Sequence, residues 1–299
     1  MIRISRDHVT DILDKHNPPA ARCASGEEVV FETRDCYDDT VTSPERPLGD
    51  RPNGLANPCT GPLYVEGAKK GDILKVEILD IKLRDWGVMR ASLTAGAFRG
   101  YYKERAVKIF EIKDNKVKID DKLTLECDTM IGVIGTAPEF HGVMTDTPEA
   151  HGGNMDCKKI VTGSTLYLPV NVDGALLSLG DLHARMGDGE VMICGMETAG
   201  EVTVRVTVLR DVSLPTPFLS CRGRVMTLCS AQTLDEAGLS AVRRMEDFVR
   251  TATGLDALSV GRLMSLLCDM AVCQIVDPLL TMRAEFPLDV LETYGYQLP

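Results

Sequence analysis

The feature that most constrains this chain is a set of four short segments rich in β-branched residues, each bounded by glycine or proline. They are "EEVVFET" (27–33), "ILKVEILDIKL" (73–83), "GSTLYLPVNV" (163–172) and "EVTVRVTVLRD" (201–211). Side chains of a strand point alternately to opposite faces, so the strict alternation in "TVRVTVL" predicts a half-buried strand with one wet face. "AVKIFEIKDNKVKIDDKLTLE", within 105–126, reads as a hairpin turning at "KDNK". The first two thirds of the chain are therefore expected to be layered β-structure.

The period changes near residue 228. In "LDEAGLSAVRRMEDFVRTATG" (234–254), Leu239, Val242, Met245, Phe248 and Val249 recur at three- and four-residue spacing and predict an amphipathic helix ending at Gly254. "DALSVGRLMSLLCDMAVCQIVD" (256–277) reads as a second, more apolar helix, with Asp256 and Ser259 as caps and Pro278 beyond its end. The expected fold is mainly β (α+β), a β-sandwich or barrel-like body with a C-terminal helical element. Its parts would be 1–130, a second β-rich part at 131–225 carrying the central motifs, and 226–299, all within one intertwined unit.

Composition removes some functions. The net charge is −11 and the longest basic clusters are pairs, at 69–70, 158–159 and 243–244. A nucleic-acid binder needs a concentrated basic face to neutralise phosphates, so no nucleic-acid partner is expected. The N-terminal segment lacks the apolar core of a signal peptide. The most apolar run, 263–276, is interrupted by Asp269 and Gln274, so no membrane partner is expected either. The ten cysteines include no C-x-x-C pair and read as reduced thiols used as small apolar side chains in a cytoplasmic protein. Residues 34–62, with five prolines, three glycines and no period, form a long loop of the kind that carries function. Residues 84–104 have no clear pattern.

Acids and imidazoles recur at strand ends beside glycines. Asp181 and His183 follow an apolar stretch, and residues two apart on a strand share a face, which offers an oxygen and a nitrogen to one point. "HGGNMD" (151–156) sets His151, Asn154 and Asp156 around two glycines whose bare backbone N–H groups could meet a developing oxyanion. Glu66 and Glu197 each end a short strand, while Asp188 in "GDGE" reads as a turn cap. Together they suggest a metal held by several of these groups and a carboxylate acting as general base.

The long runs "NPCTGPLYVEGAKKGDILKVEI", "GVIGTAPE", "TPEAHGGNMDCKKIVTGSTLYLPVNVDGALLSLGDLHARMGDGEV" and "LLCDMAVCQIVDP" resemble, in order, those of the acetamidase/formamidase family. The resemblance implies hydrolysis of a short carboxamide to ammonia and a carboxylate by a cytoplasmic homodimer. Its matched polar positions are Glu66, His151, Asn154, Asp156, Asp181, His183, Asp188 and Glu190. Within that set, our expectation is that His151, Asp156, Asp181 and His183 hold a divalent ion, zinc first, with calcium or another divalent ion as alternatives. Glu66, Asn154 and Glu197 would then be catalytic. Two other readings are a thiol amidase using Cys157 with His151 or His183, and a non-catalytic β-module that binds a small ligand.

Overall fold

A computed structural model describes residues 1–45 and 55–299 of the chain. Residues 46–54 of the expected functional loop lie outside the described residues. Within that loop the chain already enters a strand at Cys59–Val65. Two large sheets dominate. The first has nine strands, in the order Ile2–Ile4, Glu28–Thr33, Gly200–Leu209, Ile73–Leu83, Thr165–Pro169, Phe218–Cys221, Arg224–Ala231, Leu280–Pro287 and Asp269–Gln274. It draws strands from all three expected parts of the chain. The second runs Thr124–Glu126, Lys116–Lys118, Ala106–Lys113, Trp86–Ala91, Glu197–Thr198, Leu177–His183, Met130–Gly135 and Gly152–Asn154, with Cys59–Val65 branching from Leu177–His183.

Alternation decides what each face meets. Val202, Val204 and Val206 of the cleanly alternating strand are fully buried, and join Phe31, Val76, Leu166 and Leu168 in a core shared with Leu63, Ile131, Ile134, Leu177 and Leu182 of the second sheet. The body is thus a sandwich closed by apolar burial, each such side chain contributing roughly 1.5–3 kcal/mol. Tyr167, Phe218, Val225 and Phe286 point from the first sheet the other way, onto helices. The hairpin turns at Asp114 and Asn115, both with positive φ (50° and 59°), as a two-residue turn requires.

The helix Leu234–Thr253 begins at Thr233, whose side chain accepts from the Glu236 N–H. It ends at Gly254, with φ 69° and an N–H donated to the Arg250 carbonyl. Its buried stripe is Ala237, Ala241, Met245, Phe248 and Val249. Leu239, expected on this face, is 55% exposed.

The second helix spans only Ala257–Leu267, capped by Asp256, which accepts from Leu258 and Ser259. The expected continuation to Asp277 is instead the strand Asp269–Gln274, paired antiparallel with Leu280–Pro287. Apolar runs such as "MAVC" suit either period, and pairing with an open sheet edge satisfies their backbone groups. All ten cysteines are free; Cys194 and Cys273 are buried, whereas Cys268, expected in the core, is half-buried. No helix among the described residues is long and apolar enough to cross a membrane.

Candidate active site

Leu177–His183 is the central strand of the second sheet, and all seven of its residues are buried. Met130–Gly135 pairs along one side. On the other, Cys59–Val65 pairs with its first half and Glu197–Thr198 with its last two residues. Glu197 is in register with His183, and their Oε2 and Nε2 atoms are 3.2 Å apart. Asp181 Oδ1 lies 3.5 Å from the same nitrogen and Glu190 Oε1 3.9 Å, while Asp156 Oδ1 lies 3.9 Å from Nδ1. One imidazole is thereby ringed by four buried carboxylates.

Two glycines make this crowding feasible. A Cβ on Gly132 would fall 2.5 Å from both Asp156 Oδ1 and Asp181 Oδ2, and one on Gly195 would fall 2.6 Å from the His183 ring. The backbone is also bent to aim the acids: Asp156, Asp181 and Glu190 have φ of 42°, 57° and 48°, and the β-branched Ile193 has φ 91°. Such conformations cost roughly 1–2 kcal/mol each outside glycine, and they cluster where a site must hold a particular geometry.

The electrostatics follow from burial. Burial and the neighbouring Asp181 push the Asp156 carboxyl up to about 7. Burial likewise pushes Glu197 up to about 8, and burial with the Asp156 charge raises Glu190 and Asp277 well above the usual carboxylate range. Burial opposes ionisation of Asp181 too, but the His183 imidazole holds it below its ordinary value. Burial disfavours the imidazolium, yet Glu197 and Asp181 hold His183 well above its ordinary value.

The centre opens into a cavity of about 240 Å³ lined by Asp181, Glu190, Glu197, Asn154, Asp277 and Arg90, together with Cys36, Tyr37 and Ile193. Both His183 nitrogens, Asp156 Oδ1, Asp181 Oδ1, Glu197 Oε2 and Asp277 Oδ2 are buried without a hydrogen-bond partner among the described residues. Orphaned acceptors at this density are costly unless a cation satisfies them. The ligand atoms of Asp156, His183 and Glu190 lie within 4.8 Å of one another, as do those of Cys36, Asp181 and Glu197. An oxygen-rich set with one imidazole fits a divalent ion.

The structure brings Asn154, Asp156, Asp181, His183 and Glu197 together. It does not bring Glu66 to them. Cys59 pairs with Gly180, so Glu66 lies about 20 Å further along its strand, exposed and paired with Arg22 at 3.0 Å. His151 is buried, with both ring nitrogens unpartnered, but belongs to neither group of converging ligand atoms. It packs against the Gly153 backbone, and burial, then His141, lowers its pKa to about 4. Gly152 beside it does not offer its N–H to a ligand: that group donates to the Glu149 carbonyl at 3.1 Å, and a Cβ there would sit 2.4 Å from the Ile134 oxygen.

Asp188 is half of a bidentate pair with Arg283 (2.7 and 2.9 Å), which also holds Glu285 at 2.7 Å. Cys157 is fully buried, does not line the cavity and has its thiol pKa lowered chiefly by its contact with Cys273. It therefore offers no surface to a substrate at this cavity. Sequence reading missed Asp277, Cys36 and Arg90. For Asp277 a signal existed: it ends a family-like run, just before a proline.

Fold and cavity together define a class, a β-sandwich protein with an acid-ringed imidazole at the mouth of its central strand. A family model, the acetamidase/formamidase family, matches residues 8–141 and 140–222. The crystal structure of an acetamidase from Bacillus halodurans is similar over 98% of this chain and 100% of its own, with 46% identity and a TM-score of 0.96. That of a predicted acetamidase/formamidase from Thermoanaerobacter tengcongensis is similar over 99% of both chains, with 40% identity and a TM-score of 0.96. A formamidase of Methylophilus methylotrophus is 31% identical over 209 residues, 51% of each chain, so this chain spans about half the length of that curated relative. The chain belongs to the acetamidase/formamidase family.

Proposed function

We propose that the protein hydrolyses a short, linear carboxamide of the formamide or acetamide kind to ammonia and a carboxylate. The observation that carries this reading is the convergence of orphaned carboxylate and imidazole atoms on one cavity in a chain of this family. Asp156, His183 and Glu190, with Asp181, would hold a divalent cation, zinc or another. When bound, the ion supplies Lewis acidity. Glu190 replaces His151 in the ligand set expected from sequence.

Glu197, whose Oε2 has no partner and whose carboxyl burial raises to about 8, is suited to take a proton from water near neutrality and return it to the departing nitrogen. Asn154 presents its amide to the same cavity and would orient the substrate. Ten unpaired thiols support a reducing, cytoplasmic setting, and the family resemblance supports a homodimer, which light scattering would register as twice the chain mass.

The experiment is ammonia release from formamide and acetamide, with elemental analysis of the same protein. Glu197→Gln should lose activity by about 10²–10⁴-fold while retaining the metal. Full activity in a chelator-treated, metal-free sample would remove the cation from the mechanism, and wild-type turnover by Glu197→Gln would remove the base.

A further inference from the structure

Hydrolysis of a neutral amide creates negative charge at the carbonyl oxygen. As the water oxygen bonds to carbon, the C=O π pair moves onto that oxygen. The pair returns as the C–N bond breaks, nitrogen leaves as ammonia with the proton held by Glu197, and the carboxylic acid left behind releases its own proton to water to become the carboxylate. In a pocket walled by acids, a cationic side chain aimed at that oxygen stabilises the developing charge, in addition to any Lewis acidity a bound ion supplies. The backbone of Gly152 is not available for it, because its N–H is engaged by Glu149.

We infer that Arg90 is that group, a catalytic residue that binds the carbonyl oxygen and, afterwards, the product carboxylate. The inference rests on the amide-hydrolase reading above and identifies how the same cavity handles charge. Arg90 sits on the strand Trp86–Ala91, where Val88 is in register with Glu197. Residues two apart share a face, so Arg90 stands diagonally beside Glu197 on the cavity side, about 7–8 Å along the sheet. Its main chain is pinned by Cys194, whose Sγ lies 3.3 Å from the Arg90 N–H and 3.4 Å from its carbonyl.

Its side chain lines the cavity with the guanidinium 5.4 Å over the Tyr37 ring, and its Nε is buried with no partner. No ion pair among the described residues involves it. Arg84, six residues earlier, shows what a structural arginine here looks like: stacked on Trp86 and paired with Asp35 and Asp39. A planar fork of donors left unpaired beside a carboxylate centre matches a carboxylate product, and such donors are strongest where water is excluded.

The test uses the metal-loaded protein and two variants, Arg90→Met and Arg90→Lys, each checked for an unchanged melting temperature. Arg90→Met should lose about 10²–10³-fold in kcat on acetamide with KM little changed. Acetate and formate should inhibit the wild type competitively, and their affinity, read by calorimetry without turnover, should fall roughly tenfold or more in Arg90→Met and partly return in Arg90→Lys. Arg90→Met with wild-type kcat and undiminished acetate binding overturns the inference while leaving the amidase reading intact. A wild type that binds acetate through Arg90 but turns over no amide overturns the amidase reading instead.

Discussion

Gly132 is the position at which the centre can be perturbed with the least chemistry. It carries no charge, touches no substrate and is not in the left-handed backbone region, yet a methyl group there would sit 2.5 Å from Asp156 Oδ1, 2.5 Å from Asp181 Oδ2 and 2.9 Å from the Asp181 carbonyl oxygen. Ordinary contact begins near ~3.5 Å, so two carboxylates must each retreat by about 1 Å. The third contact is main chain on the central strand and yields least. Overpacking of this kind costs about 1–3 kcal/mol. At roughly 2 °C per kcal/mol for a chain of this size, Gly132→Ala should melt about 2–6 °C below wild type.

The activity loss should exceed the stability loss, since a 1 Å displacement of reacting groups costs on the order of 10²-fold. Differential scanning calorimetry and an ammonia-release assay read the two effects. Gly187→Ala is the control, with no atom within 4 Å of its added methyl. If Gly132→Ala melted and turned over as the wild type does, Asp156 and Asp181 could not be held as closely as described.

Three further outcomes follow from the placement of side chains. Glu66→Gln should keep activity within about twofold, because its exposed pair with Arg22 is screened by solvent and lies away from the cavity; a large loss would reinstate Glu66 as a catalytic group. Arg283→Met should destabilise the fold by about 1–3 kcal/mol in urea titration, because Asp188 loses its bidentate partner and keeps only Lys158 at 3.0 Å, while Glu285 keeps only Arg224 at 3.4 Å; no measurable change would contradict the clamp. His151 has a folded pKa near 4 against 6.5 when unfolded, so the unfolded chain binds its proton first as pH drops. Stability from this group is intact above pH 6.5 and falls progressively toward pH 4, by about 3 kcal/mol, a dependence that His151→Gln should lack in melting curves taken across that range.

Much of the sandwich was legible because alternation and turn chemistry are local. Glu28–Thr33, Ile73–Leu83 and Gly200–Leu209 stand where their β-branched patterns put them, and the Thr233 and Gly254 caps bound the first helix. What failed was non-local. The strand Asp269–Gln274 exists because Leu280–Pro287 offers it a ladder, which no periodicity within the segment reveals. That misreading hid Asp277, which a helix would have placed at its own end instead of at the rim of the cavity. Arg90 and Cys36 lay in stretches without a readable period. Glu66 shows the converse limit: a strand-end carboxylate is easy to spot, but which end of which strand meets the site depends on pairing register.

The spread of the centre along the chain has a consequence for how it comes into being. Cys36, Arg90, Asp156, His183, Glu197 and Asp277 meet in one cavity or around it although they are strung across most of the polypeptide. Contacts this distant in sequence close late and slowly, and a chain is synthesised from its N-terminus onward. The carboxylates of the central strands therefore emerge well before the edge strand that delivers Asp277. During that interval the carboxylates of the central strands lack the part of their rim that Asp277 supplies. Completion of the rim is in this sense the last step in building the cavity, reached only when the last edge strand docks.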